Sequence, residues 1–269
     1  MKIKITHSTT YKYSSTVPRL IQCLKLYPSI CDNQEIIEWK TFSNNGKILE
    51  SHTDALGHRI QNIFINNFHG QLKITSKGIL KTKDLSGVVK GLKEKVNPLC
   101  FLRETDLTRP CKNIKKISEN AKKNNKTQIE FAHKLNLIVS NSINYTSGST
   151  TTSTSSKEAL RQKKGVCQDF AHILISAARY NQLPARYVNG FLLEETVSGE
   201  NTTHAWVEIF INNLGWVAFD PSHKKCIDDK YIRISTGFDF EDASIIKGIK
   251  NNYYGEEFLD TKVDIENCQ

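Results

Sequence analysis

The chain reads as an α+β protein in two parts, on three observations. Its first 85 residues hold four segments of partial period-two alternation separated by turn residues. A helix-period apolar stripe then follows a glycine at Gly165, and two further alternating segments flank the turn signal Asn212-Asn213-Leu214-Gly215. At 269 residues there is room for both parts and their cores.

In the first part the alternating segments are residues 2–6, 35–42, 59–66 and 71–80. Asn44-Asn45-Gly46 and His69-Gly70 are the turn signals between them. This predicts an N-terminal antiparallel β domain over residues 1–85. A polar, lysine-rich stretch that includes Lys122-Lys123-Asn124-Asn125-Lys126 marks residues 86–127 as a connector. Residues 128–269 are then the second domain, with a C-terminal extension.

That second part opens with Phe131, Ala132, Leu135 and Ile138 at helical spacing. The Ser/Thr run at 147–156 cannot bury a core and is expected as a loop. Next, Phe170, Ile173, Leu174, Ala177 and Ala178 make one apolar stripe. The helix that carries it should begin at or beside Cys167 and end at Asn181 to Pro184. A strand over 185–191, a polar loop rich in Glu and Thr, and a hairpin running from His204 to Asp220 complete the pattern.

Composition narrows the function classes. The sequence is 38% apolar without a long uncharged stretch, and Met1-Lys2-Ile3-Lys4-Ile5 lacks the apolar run of a signal peptide. A cytoplasmic location and no membrane partner are the expectation. Seven cysteines, none in Cys-x-x-Cys spacing, signal neither a zinc ribbon nor a redox dithiol, and no metal or other cofactor is expected. Residues 1–128 carry 23 Lys and Arg against 10 Asp and Glu, and the remainder 14 against 18. The lysines are scattered without interleaved aromatics, so they read as a solvated face and no specific nucleic-acid partner is expected.

Cys167 is the cysteine whose surroundings promise reactivity. A thiol at a helix N-terminus faces unpaired N–H groups and the positive end of the macrodipole, both of which favour thiolate. His204 shares a strand face with Trp206 and Glu208, and Asp220 ends the return strand. A thiolate, an imidazole and a carboxylate that fixes the imidazole's tautomer are what acyl transfer needs. Strand alternation sets a condition on that set. A two-residue turn at Asn212-Asn213 would put His204 and Asp220 on opposite faces, so an odd-length loop such as 211–213, or a β-bulge, is required.

Gly165-Val166-Cys167-Gln168-Asp169-Phe170-Ala171-His172, then Pro184 to Gly190, then His204-Ala205-Trp206-Val207-Glu208, then Gly215 to Pro221 resemble the core of the transglutaminase-like superfamily. The N-terminal part, with Tyr11, Tyr13 and Asp54-Ala55-Leu56-Gly57, resembles the β domain preceding that core in bacterial members. Tyr145 to Thr150 and the stretch from Gly237 to Gly248 resemble family landmarks, although Phe238 and Phe240 stand where Arg and Tyr are expected. The resemblance implies a papain-like core in which Cys167 attacks an amide carbonyl, His204 carries the proton and Asp220 orients His204. The Cys167 N–H would be one oxyanion donor, and Tyr145, Gln168 and Trp206 are further oxyanion or lining candidates. It implies a protein or peptide substrate and a cysteine protease or amidase. The alternatives are a transglutaminase that passes the acyl group to an amine, or a peptide-binding domain without catalysis. Oligomeric state is left open.

Overall fold

The computed structural model describes residues 1–123, 125–194 and 203–268. Two antiparallel sheets make up the molecule, and helices cover one face of the second. In the first sheet β1 (Lys2–Leu24) pairs with β5 (Arg59–Thr82) along nearly its whole length. β2 (Gln34–Ser43) and the short β3 (Lys47–Ile48) and β4 (His52–Thr53) also pair with β5. Ile3, Ile5, Leu20, Ile63, Leu72 and Leu80 are fully buried, which fixes the register through the alternation of the strands.

The segments 59–66 and 71–80, expected as two strands, run as one. His69-Gly70 is a bulge instead of a turn: Tyr13 pairs with Gly70 but Val17 pairs with Phe68, so three residues of β1 lie against one of β5. Asn67 and Gly70 take positive φ angles of 48° and 98° there, conformations that serve a bulge as well as a reversal.

After β6 (Val88–Val89) the described residues of the expected connector form helical segments. Its lysine-rich part forms α1 (Lys112–Lys122), which buries Ile114, Ser118 and Ala121, an apolar spacing diluted by the lysines between. α2 (Gln128–Ser140) packs on it and is capped by Thr127, whose hydroxyl accepts from the Glu130 N–H while Glu130 accepts from the Thr127 N–H. β7 (Asn144–Tyr145), α3 (Ser156–Gln162), β8 (Lys164–Gly165) and α4 (Cys167–Tyr180) follow, with β7 parallel to β8. β9 (Ala185–Leu192), β10 (Thr203–Ile211), β11 (Gly215–Asp220), β12 (Lys225–Cys226) and β13 (Tyr231–Gly237) form the second sheet in the order β12-β11-β10-β9-β13, with β6 against β11. The polar loop expected before His204 falls mostly at 195–202, outside the described residues.

β14 (Ile246–Asn251) and β15 (Glu257–Asn267) then return to the first sheet and pair with β1. Residues 246–267, expected as an extension of the second domain, therefore complete the first. Without them β1 would be a long bare edge. The sheets meet where Phe191, Ile232 and Ile234 pack on Ile3, Ile5, Leu80, Val263 and Ile265. An ionic quartet ties β9, β10 and β13 of the second sheet to Glu94. Glu208 accepts from Arg186 (2.6 Å) and Arg233 (2.8 Å), Glu94 accepts from Arg186 (2.7 Å), and Arg233 also donates to Ser29 near the end of β1 (2.7 Å). Among the described residues no helix is long and apolar enough to cross a membrane.

Candidate active site

Cys167 is the first residue of α4, and its N–H has no acceptor within the helix. Asp169 fixes this turn: one carboxylate oxygen accepts from the Val166 N–H (2.8 Å) and from the Thr150 hydroxyl (2.6 Å). Burial holds its carboxyl above the ordinary range, against those hydrogen bonds. Gln168 donates to the Thr152 carbonyl (3.2 Å). The Ser/Thr run is thus an ordered loop tied to the first turn of α4, and the Gln168 amide serves that tie. Behind the turn, Phe170, Ala171, Ile173, Leu174, Ala177 and Ala178 are buried against β9, β10 and α2.

The β10–β11 hairpin supplies the other two groups. Ile211 pairs with Gly215 and Val207 with Phe219, so residues 212–214 form a three-residue loop. The odd length required above is met one residue further along than 211–213, with Asn213 at φ 67° and Gly215 at φ 84°. His204 and Asp220 consequently lie on one face, and His204 Nε2 donates to Asp220 Oδ2 at 2.7 Å. On its other side the ring approaches the Cys167 thiol. Burial pulls the imidazole pKa down, but hydrogen bonding to Asp220 and Cys167 outweighs it and raises the pKa to about 10.

Asp220 is saturated with donors. Its Oδ2 also accepts from His223 Nδ1 (2.8 Å) and from the Tyr231 hydroxyl (2.8 Å). Oδ1 takes the Ser222 N–H (2.9 Å), the Ser222 hydroxyl (2.6 Å) and the His223 N–H (3.2 Å). Burial alone would raise this carboxyl, yet the bonds to His204 and His223 hold it far below the ordinary carboxylate range. His223 reaches on to Glu194, 3.0 Å from its Nε2, and its pKa is raised, chiefly by Asp220. Ligand atoms of His204, Asp220 and His223 lie within 4.8 Å of one another. The three already satisfy each other as donors and acceptor, so the set is complete as a hydrogen-bonded relay.

Two family-model matches cover most of this architecture: a bacterial transglutaminase-like N-terminal region over residues 3–81 and the transglutaminase-like superfamily core over 115–221. The chain belongs to the transglutaminase-like superfamily. An uncharacterised protein of Mycobacterium leprae is 26% identical over 98% of both chains. One of Mycobacterium tuberculosis is 34% identical over 131 residues, 45% of this chain and 42% of that one. A crystal structure from Cytophaga hutchinsonii, described as a "putative cysteine protease", superposes at a TM-score of 0.76 with 20% identity, over all of this chain and 92% of that one. At that identity it speaks for the fold.

Other residues of the transglutaminase-like core sit as follows. The Tyr145 ring stacks on Phe170 at 6.3 Å and stands exposed at the rim, near Cys167, Glu194 and Asp220. Trp206 is fully buried beneath His204, with ring centroids 6.3 Å apart, and its indole N–H has no partner among the described residues. It floors the site and presents no open surface. His172 is also fully buried and accepts from the Phe240 N–H (3.1 Å); burial lowers its pKa to about 4. Phe238 packs on Phe101, with the Arg103 guanidinium 3.9 Å from its ring centre. Sequence reasoning missed His223, Tyr231 and Glu194. For His223 a signal existed, since a histidine three residues past Asp220 in an Asp-Pro-Ser-His turn can fold back onto that carboxylate.

Proposed function

We propose that the protein is a cysteine-dependent protease or amidase that works through Cys167, His204 and Asp220. The observation that carries this reading is the position of the His204 ring, bonded to Asp220 through Nε2 and raised in pKa by both Asp220 and Cys167. In the reaction the Cys167 sulfur bonds to the substrate carbonyl carbon, with its proton held on His204. The developing oxyanion is met by the Cys167 N–H at the start of α4. The C–N bond then breaks and the leaving amine takes the proton from His204. Water adds to the thioester with His204 accepting its proton, and release of the carboxylate restores the thiol. Asp220, held by six donors, keeps the imidazole in one orientation throughout. The substrate in this reading is a protein or peptide met in the cytoplasm.

Limiting iodoacetamide at neutral pH should label Cys167 ahead of the other six cysteines, as read by peptide mass spectrometry. Cys167→Ala should abolish peptide hydrolysis while leaving the circular dichroism spectrum unchanged. Preferential labelling of another cysteine, or hydrolysis surviving in Cys167→Ala, would overturn the proposal. Product analysis with an added amine separates hydrolysis from transfer.

A further inference from the structure

A cavity of about 330 Å³ lies between the two sheets, beside the start of β10. His7 and Thr9 of β1, Asn189 of β9, Thr203 of β10, Phe240 and Thr261 of β15 are among its walls. Two connections run from it toward Cys167. Asn189 lies across from Ala205 in the β9–β10 ladder and points to the same face as Tyr187. The Tyr187 ring in turn meets Phe240 edge-on at 6.2 Å, and Phe240 packs against the same core cluster as Cys167.

The lining has a distinct chemistry. Among the described residues no Asp, Glu, Lys or Arg contributes to it, although the chain is 24% charged. Thr9, Asn189, Thr203 and Thr261 offer hydroxyl and amide groups among apolar walls. His7 is fully buried, and its Nδ1 has no partner among the described residues, while its Nε2 meets only the Thr9 hydroxyl at 3.3 Å. Burial lowers its pKa to about 4, so the ring is neutral at pH 7 and offers one donor and one acceptor. A buried polar atom without a partner costs about 1–3 kcal/mol.

We propose that this cavity is a substrate subsite, built jointly by the N-terminal sheet and the transglutaminase-like core, that receives an uncharged side chain carrying a hydrogen-bonding group. It rests on the functional reading above, in which the substrate runs past Cys167 and His204. A charged side chain would lose its hydration there without meeting a counter-charge among the described residues. A purely apolar one would leave the hydroxyl and amide groups of the walls without a partner. The N-terminal sheet therefore acts in specificity as well as in stability.

Binding of blocked amino acids separates this proposal from the question of catalysis. N-acetyl amides of glutamine, methionine, lysine and glutamate, similar in length and different in polarity, are titrated against full-length Cys167→Ala protein by NMR. The glutamine amide should bind tightest and the lysine and glutamate amides weakest. Thr261→Trp, at an exposed position on the cavity rim, should weaken the glutamine amide roughly tenfold or more. His7→Phe should weaken glutamine and leave methionine unchanged. Thr261→Trp should keep the circular dichroism spectrum and melting temperature of its parent, which shows the fold intact. Equal binding of all four, no binding of any, or indifference to Thr261→Trp overturns the subsite. Failure of the catalytic reading would show instead in the wild-type alkylation and hydrolysis assays.

Discussion

The Asp220 carboxylate reaches the His204 ring across a diagonal of the β10–β11 hairpin. Val207 faces Phe219, so one step further Asp220 falls opposite Trp206, and His204 lies two residues beyond on the same face. Diagonal neighbours stand farther apart than directly paired ones, yet two side chains of this length close the gap to 2.7 Å. The diagonal also leaves room on the carboxylate for His223 and Tyr231.

This arrangement predicts the alkaline limit of activity. His204 carries its proton up to a pKa of about 10 because Asp220 and Cys167 outweigh burial. The pair therefore contributes stability in a defined window. The His204 share is fully present below its ordinary 6.5 and is lost as pH rises through about 10. The Asp220 share is present above its ordinary 3.8 and is lost as pH falls well below that. If His204 must hold a proton for the leaving amine, kcat/KM should fall on an alkaline limb near pH 10. Asp220→Asn leaves burial less opposed, so the limb should move down by about one to three pH units as the rate drops. His223→Gln keeps a donor to Asp220 and should move the limb less. A limb unmoved in Asp220→Asn would show that Asp220 does not govern His204.

The ionic quartet on the second sheet gives a stability prediction. Glu208 is fully buried, and although burial would raise its carboxyl, Arg186 and Arg233 lower it from an ordinary 4.5 to about 2. Glu208→Gln leaves two buried guanidiniums short of a counter-charge, at a cost of about 3–5 kcal/mol. A depressed carboxyl contributes stability above its ordinary pKa and loses it as pH falls toward the folded value. Wild-type protein should accordingly weaken between pH 4.5 and 2 more steeply than Glu208→Gln. Urea midpoints across that range read both effects. An unchanged midpoint for the variant at pH 7 would remove the quartet from any account of stability.

How much of this was legible in the sequence depended on range. Cys167, the hairpin and the stripe of α4 are local patterns, and each stands where its periodicity put it. β14 and β15 could not be found that way. Their partner, β1, lies more than two hundred residues upstream, and only the bare edge of a folded sheet calls for them. α1 was hidden because a short apolar spacing among lysines resembles a solvated linker. The Asp54 side chain shows the same limit. The motif was visible, and His58, four residues on, bonds Asp54 at 2.8 Å, but the further link from His58 to Thr236 joins residues the sequence sets far apart. His69-Gly70 failed for another reason, since positive φ is shared by turns and bulges, and only the length of β1 opposite decides between them.

The hairpin loop itself supplies the last prediction. The three residues 212–214 hold His204 and Asp220 on a common face, closed by the Leu214 N–H donating to the Ile211 carbonyl at 3.1 Å. Gly215 sits at φ 84° with open space around its Cα, so Gly215→Ala should cost about 1 kcal/mol through backbone strain alone, with activity kept. Deleting Asn213 is different in kind. A two-residue loop slips the register by one and turns Asp220 to the opposite face. The same slip would pull Val217 and Phe219 out of the core against the helices, at roughly 1.5–3 kcal/mol for each side chain. The deletion should therefore lower thermal stability by far more than Gly215→Ala and, through the slip, bring kcat/KM down toward the Cys167→Ala background. Differential scanning calorimetry with a peptide assay on both variants measures the contrast. A deletion variant with wild-type turnover would mean that loop length does not set the His204–Asp220 geometry.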